Sequence, residues 1–581
     1  LWSFLWDNNE INFKKEFFKT ILKMCGITGI INLYDDEINF SLLKKMSGCL
    51  SHRGPDESGF FLNNNVGLAN TRLSIVDIEG GHQPFISYDK KVVVIQNGEI
   101  YNYREIKKEL ENSKYECKTS SDTEILLASY IKWGEKMFEK IDGMFSFIIY
   151  NIKKNEIFFA RDLYGQKPLY YSANKKEIIF SSEIKPIIKL QKQKKIKFNE
   201  TEIHKYLNFN YYGDDNKTFF KDIHQVKPGH FGYIKKDKIK IKKIKTKSNI
   251  KKANQKKILE FLKKEINLHL ISDVEMGILI SEGIDSKSIL DISNKIYNKK
   301  LKLFNLEFEN FDNTKFKEKY KKIDLRRLYS TKFFKKDLFR YLDKASTICE
   351  TPPLGLFTLG MIKLFRLIKK NKIKVVLNGQ GIDEIFGGYN SIFKKKDTNK
   401  IYHPSGKILS MSKEKFLKKT MNQNENKKNF KEIRLDMSFK TKIPKNLNQY
   451  DKISMNYSIE NRSPYLTNDS YQIMKILKKN QLYSNKHTKK IFRNSMYKFT
   501  NDKFYFEKKM YEQAPQSEFM LSKNNYKTIK TILKRNNYCD KFFHKKNLVN
   551  YFENFKIKKN NGFLIWQYLS LNSFINCFKN I

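Results

Sequence analysis

In TILKMCGITGI (residues 20–30) a cysteine, Cys25, directly follows a methionine, Met24, and leads into a glycine-containing apolar run. With Met24 removed as an initiator, Cys25 would carry a thiol and a free α-amine. One residue would then hold a nucleophile and its general base. With the 23 residues ahead of it retained, the amine is an amide and that chemistry is lost. Those residues contain no Met, and no basic segment leads into an apolar core, so they read as an upstream extension, with a cleaved leader as the alternative. Two further stretches carry small and acidic residues after apolar runs, LISEGIDSKS (279–288) and VVLNGQGIDEIFGGY (375–389). Loops of this composition can wrap their N–H groups around an oxyanion.

These groups need elements to hold them, and the chain changes texture along its length. From 24 to 235 short β-rich runs alternate with turns: VVVIQNGEIYNY as a strand entering an Asn-Gly turn, then FSFIIYN, EIFFARD, KPLYYS and EIIFSSE. A short helix, SLLKKMSGCLSHRG, follows the first strand. This predicts packed sheets with helices outside. Residues 236–250, KDKIKIKKIKTKSNI, read as a linker. From 251 to 581 strand, small-residue loop and helix recur, as in KKILEFLKKEINLHLI followed by EMGILISEGIDSKSILDIS, and MIKLFRLIKKNKI followed by KVVLNGQGIDEIFGGY. Such alternation predicts a doubly wound parallel α/β sheet with its ligands at the carboxyl ends of the strands.

The chain has 581 residues and a formal net charge of +50. Lysine supplies most of that charge along the whole length, beside abundant Asn, Ile, Phe and Tyr, the pattern of A/T-rich codons. No nucleic-acid-binding signature accompanies it, so a nucleic-acid partner rests on net charge alone. Six scattered cysteines (25, 49, 117, 349, 539 and 577) form no CxxC pair, which argues against zinc and a disulfide framework and suits a reducing cytoplasm. No apolar run approaches the ~18 residues of a membrane span.

Four polar stretches accompany the Cys25 run: SHRGPDESG (51–59), TRLSIVD (71–77), QNGEIYNY (96–103) and SSDTE (120–124). Together with GMFSFIIYN, ARDLYGQKPLYY and SSEIK they resemble the class II glutamine amidotransferases, which are N-terminal-nucleophile hydrolases, and specifically the glutaminase domain of the asparagine synthetase family. The resemblance implies an α+β sandwich of antiparallel sheets. It implies that Cys25 attacks the glutamine amide, with Asn97 and the N–H of Gly98 as oxyanion hole. Arg72 would hold the substrate α-carboxylate, and Glu99 and Asp122 its α-ammonium.

LISEGIDSKS resembles the pyrophosphate loop of ATP pyrophosphatases, whose usual form is Ser-Gly-Gly-x-Asp-Ser: Ser281, Gly283, Asp285 and Ser286 match, and Glu282 stands where glycine is usual. VVLNGQGIDEIFGGY resembles the second signature of the synthetase domain, with Asn378 in place of the commoner serine. The resemblance implies an ATP site on Gly379 and Gln380, Mg²⁺ held by Asp285 and Asp383, and Glu384 steadying the loop. YDKISMNYSIENRSPYL (450–466) carries over Glu460 and Arg462, with Thr467 replacing an Asp. HTKKIFR (487–493) places Lys489 and Arg493 on one helix face toward the phosphates, a solvated basic face being the alternative. Between 305 and 330 the family's Asp-Glu pair and helical alanines survive only in trace.

The expected reaction is glutamine-dependent amidation of an adenylated acid, by default L-aspartate. The alternatives are a carboxylated sugar in surface-polysaccharide synthesis, or a glutaminase with an impaired synthetase domain. The partners are these small molecules, with no nucleic acid and no membrane insertion, and a homodimer is compatible with the reading.

Overall fold

The computed structural model describes residues 25–579 except 35, 55, 73–74, 76, 78–79, 114, 192–195, 236–237, 249, 311–315, 317–319, 321–323, 394–407, 413–414, 417–428, 485–486, 508–513 and 559–561. The extension 1–23 and Met24, on which an expectation was placed, lie outside the described residues. The described chain divides into two compact units. One comprises the chain up to Asp162 with Lys167–Lys195 and Asp222–Lys245; the other comprises Leu163–Gln166, Ile196–Lys221 and the chain from Thr246.

The first unit is a sandwich. One sheet holds β1 (Gly26–Asn32), β2 (Glu57–Asn63), β3 (Val66–Arg72), β8 (Tyr170–Ala173), β9 (Glu177–Ser181) and β10 (His224–Gln225), in the order β10-β8-β9-β1-β3-β2. The other holds β4 (Phe85–Ile86), β5 (Val92–Ile100), β6 (Gly143–Asn151), β7 (Glu156–Arg161), β11 (His230–Lys235) and β12 (Lys238–Lys243), in the order β12-β11-β7-β6-β5-β4. All these pairings are antiparallel. Inward side chains of both sheets (Ile27, Leu68 and Phe180 with Val93, Ile95, Ile148 and Phe159) form one buried core. With that core on one face and helices packed on the other, β1 and β5 are buried on nearly every residue. Outside lie α1 (Phe40–Gly48), capped by Asn39, and α2 (Asp122–Trp133), capped by Ser121. This is the expected α+β N-terminal-nucleophile architecture.

Asn97–Gly98 is not a turn but the middle of β5, opposite Ser146 and Phe145. Gly98 has φ +127°, and a Cβ there would lie 1.9 Å from the Met144 carbonyl oxygen, so β6 approaches as only glycine allows. The expected linker 236–250 includes β12, which pairs residue for residue with β11, so its lysines decorate a sheet edge.

In the second unit β13 (Met276–Leu279), β14 (Lys302–Phe308), β15 (Leu328–Phe333), β16 (Val375–Leu377) and β17 (Glu460–Arg462) form a parallel sheet in the order β15-β14-β13-β16-β17. The order reverses direction at β13, so loops after β13 and β16 flank a switch point, the expected doubly wound arrangement. Residues Ile196–Lys221, placed with the first half from sequence, pack in this unit through α3 (Glu200–Phe209). The reason is aromatic: Phe198, Phe219 and Phe220 pack on Phe574 and Phe578, and Tyr206 bonds Ser570 Oγ at 2.9 Å. Further helices are α4 (Gln255–His269), capped by Asn254, α5 (Ile284–Ile296), α6 (Leu356–Lys370), α7 (Ile382–Phe386), α8 (Lys490–Thr500) and α9 (Phe563–Phe578).

Candidate active site

Cys25 stands at the head of β1, and its carbonyl accepts from Arg53 Nε at 3.3 Å. Arg53 is fully buried and pairs through Nη1 with Glu183 Oε1 at 3.0 Å. His52 Nε2 meets the same oxygen at 2.8 Å, and Lys185 lies 3.3 Å from the other. Burial works against the charge of Glu183, but His52, Lys185 and Arg53 outweigh it and hold the carboxyl well below its ordinary range. Arg53 and Glu183 lie in stretches the sequence singles out, SHRGPDESG and SSEIK, yet nothing local pairs residues 130 positions apart.

Neighbouring strands carry the expected partners. Gly26 lies opposite Thr71, beside Arg72 at the end of β3. Asn97 is fully buried, its Nδ2 3.4 Å from Ser182 Oγ and 3.5 Å from Ser146 Oγ. Ser182 Oγ in turn accepts from the N–H of Ile27 at 3.0 Å, joining β5 to β1 two residues past Cys25. Asp122 Oδ2 accepts from Gln96 Nε2 and from the N–H of Ile100, both at 2.8 Å, so it brackets the Asn97–Gly98–Glu99 segment. Arg72 Nη2 donates to the Asp77 carbonyl at 2.6 Å, and its Nη1 lies 3.7 Å from Glu57. Gly81 makes room for this: a Cβ there would sit 2.3 Å from Arg72 Nη2. Cys25, Arg72, Asn97, Gly98, Glu99 and Asp122 therefore gather at one end of the sandwich. That end of the sandwich thus carries a thiol, amide donors, a guanidinium and two carboxylates.

In the second unit a cavity is lined by Ser281, Asp285 and Ser286 from the loop after β13, and by Asn378, Gly379, Gln380, Asp383 and Glu384 from the loop after β16. The first loop is knitted by hydroxyls. Ser286 Oγ accepts from the N–H of Ser281 at 3.1 Å, and Ser281 Oγ accepts from the N–H of Gly283 at 3.3 Å. A Cβ on Gly379 would lie 3.1 Å from Asp285 Cβ and from the nitrogen of Ser286, so the two loops meet closely there. Glu282 is partly buried and is not among the cavity-lining residues. Its charge instead adds to burial in raising the Tyr320 hydroxyl, which donates to the Ser281 carbonyl at 2.6 Å.

Asp285 and Asp383 converge on one cation. Lys489 Nζ lies 2.7 and 2.8 Å from the two oxygens of Asp285 and 2.6 Å from Asp383 Oδ1. Burial disfavours its charge, but the two carboxylates hold its pKa above the ordinary value. Carboxylates that gather around a single ammonium are also the hard oxygens a magnesium ion takes, so the residues fit the expected metal.

Lys489 does not share a helix face with Arg493. It is the left-handed residue (φ 57°) preceding α8, which aims its side chain independently. Arg493 is buried and donates through Nε to the Thr488 carbonyl and through Nη1 to those of Tyr505 and Glu507, holding the next segment to the helix start.

Supporting residues are held by side chain and main chain. Glu384 accepts from the Tyr389 hydroxyl at 2.7 Å, and its carbonyl accepts from buried Arg434. Burial and the neighbouring Asp383 raise its carboxyl. Arg462 pairs with Glu460 at 2.7 Å and donates to the carbonyls of His269 and Ile271, tying β17 to the end of α4. Thr467 caps the helix Asn468–Ile476, accepting from the N–H of Ser470, a task open to the aspartate it replaces. Asn378 stands where the family's second signature commonly has serine. Its amide Nδ2 is shared among Asn461 Oδ1, the Arg462 carbonyl and Ser463 Oγ at 2.8–3.0 Å, which pins the loop after β16 to β17. The altered stretch after β14 lies largely outside the described residues.

Residues 24–245 match the glutamine amidotransferase domain family, and residues 257–575 the asparagine synthase family. Asparagine synthetase [glutamine-hydrolyzing] 1 of Bacillus subtilis is 32% identical over 387 residues, 63% of this chain and 59% of that protein. Asparagine synthetase [glutamine-hydrolyzing] 2 of the same organism is 29% identical over 577 residues, 87% of this chain and 75% of that one. A putative asparagine synthetase [glutamine-hydrolyzing] 2 of Methanocaldococcus jannaschii is 32% identical over 398 residues, covering 63% of this chain and 76% of its own.

Proposed function

We propose a reaction for this chain, which belongs to the asparagine synthetase family: glutamine- and ATP-dependent conversion of L-aspartate to L-asparagine, with AMP and pyrophosphate released, in the cytoplasm. The observation that carries the second half is the convergence of Asp285, Asp383 and Lys489 beside the Ser281–Ser286 loop.

In the first unit Cys25 Sγ attacks the side-chain amide of glutamine, and its α-amine takes the thiol proton. Asn97 Nδ2 and the Gly98 N–H receive the developing oxyanion. Arg72 pairs with the substrate α-carboxylate, and Glu99 and Asp122 with its α-ammonium. The Arg53–Glu183 pair fixes the carbonyl of Cys25 and so the nucleophile's direction. Ammonia leaves with the proton held by the amine, and water then frees glutamate from the thioester.

In the second unit the acceptor carboxylate attacks the α-phosphorus of ATP. Pyrophosphate departs, and ammonia displaces AMP from the acyl carbon. The loops that carry Gly283, Ser286 and Gly379 would receive the phosphate oxygens, and Gln380 would face the acyl group. Asp285 and Asp383 would hold Mg²⁺, which when bound neutralises triphosphate charge.

The test uses protein whose first residue is Cys25, supplied with ATP, Mg²⁺ and glutamine. Pyrophosphate that requires L-aspartate and is matched by asparagine is the expected result. Glutamate release without pyrophosphate would overturn the synthetase half.

A further inference from the structure

We propose that Lys489 is a built-in counter-ion that fills the cation seat between Asp285 and Asp383 until divalent metal and nucleotide arrive together, so that displacement of this one ammonium couples the two binding events. The inference rests on the reading that these two carboxylates receive the metal.

The seat is specific. Three carboxylate oxygens lie within 2.8 Å of Nζ, and the lysine side chain is 1% exposed. A magnesium ion bonds oxygen at about 2.0–2.1 Å, so it would need those same oxygens. Two cations on one pair of carboxylates repel strongly in a site with little water. Ammonium and metal are therefore alternatives.

The backbone is arranged to allow the exchange. Residue 489 is left-handed and precedes α8, so its side chain is not packed along the helix. Its stem runs past Gly388: a Cβ there would lie 2.7 Å from Lys489 Cε and 1.7 Å from Asp383 Oδ1. The second glycine of the FGGY run thus keeps open the channel that lets a lysine reach the seat. A four-carbon stem can swing its ammonium through several ångströms by rotamer changes alone.

The energetics make the two ligands mutually dependent. Lys489 cannot leave without abandoning two carboxylates, unless a cation replaces it. The freed ammonium is costly to leave unpaired, unless an anion meets it, and the triphosphate offers one at the adjacent Ser281–Ser286 loop. Each ligand removes the penalty that opposes the other, which is positive coupling. Two carboxylates against one ammonium also leave an uncompensated negative charge, which disfavours nucleotide arriving without metal.

The test measures Mn²⁺ binding to the full chain by the paramagnetic resonance of free Mn²⁺, with and without α,β-methylene-ATP. Wild type should bind Mn²⁺ at least tenfold more tightly with the nucleotide analogue. Lys489→Met should bind Mn²⁺ alone at least tenfold more tightly than wild type does. Lys489→Arg, which keeps a charge in the seat, should leave nucleotide-free binding weak. Wild type that binds Mn²⁺ equally with and without nucleotide overturns the inference without any variant, as does equal nucleotide-free affinity in wild type and Lys489→Met. Failure of all three proteins to bind Mn²⁺ even with nucleotide overturns the metal reading as well.

Discussion

Gly98→Ala is a small chemical change with a large expected consequence for one half of the reaction. A Cβ at this position lies 1.9 Å from the Met144 carbonyl oxygen, whereas real Cβ contacts essentially never fall below 3.0 Å. The strands β5 and β6 must therefore part by about 1.1 Å, the difference between those distances. The φ of +127° adds backbone strain on the order of 1–3 kcal/mol. Asn97 is the preceding residue and Asp122 is bonded on both sides of the segment, so the displacement reaches both the proposed oxyanion donors and the proposed ammonium seat. A misplacement of about 1 Å costs roughly a hundredfold, and loss of one oxyanion donor roughly 10²–10³ in rate. Glutaminase kcat/KM measured by glutamate release should fall by about that factor. Pyrophosphate release driven by ammonia in place of glutamine should stay within about twofold, because the second unit has its own core. Glutaminase activity within tenfold of wild type would refute the reasoning. So would a parallel loss of the ammonia-driven reaction.

Two other perturbations probe the second unit. Burial pushes His269 down to about 3 from its ordinary 6.5, so the unfolded chain takes up a proton that the folded one refuses as pH falls. Stability should drop progressively from pH 6.5 toward 3, and His269→Asn should flatten that limb in urea titrations of the full chain. Asn378→Leu leaves the Arg462 carbonyl and the Asn461 and Ser463 side chains without their shared donor. It should cost about 2–4 kcal/mol in the denaturant midpoint and slow pyrophosphate release, while Asn378→Ser, with a hydroxyl donor, should lose less.

Local pattern in the sequence marked the elements well where one short stretch decides its own structure. The runs before Ser281 and Gly379 are strands, the residues after them open helices, and the alternation announced a parallel sheet. It failed where a distant partner decides. Asn97–Gly98 has the composition of a hairpin turn, yet the close approach of Met144 keeps it in a strand. The spacing of Lys489 and Arg493 suggests one helix face, but α8 begins only at Lys490, and main-chain carbonyls claim the arginine. Arg53 and Glu183 are buried against one another, and no periodicity foretells a pair that tertiary folding assembles. The aromatic residues around α3 carry no mark of which core they will enter.

That last feature bears on how the protein is made. Ile196–Lys221 is synthesised before β11 and β12 of the first unit, yet it packs on Phe574 and Phe578 near the end of the chain. During translation its aromatic side chains must wait, uncovered, until almost the whole polypeptide has emerged. They are a natural early target for holding chaperones. By the same logic a fragment starting at Thr246 would omit part of its own interior, and a faithful dissection would rejoin 196–221 to it through a new linker.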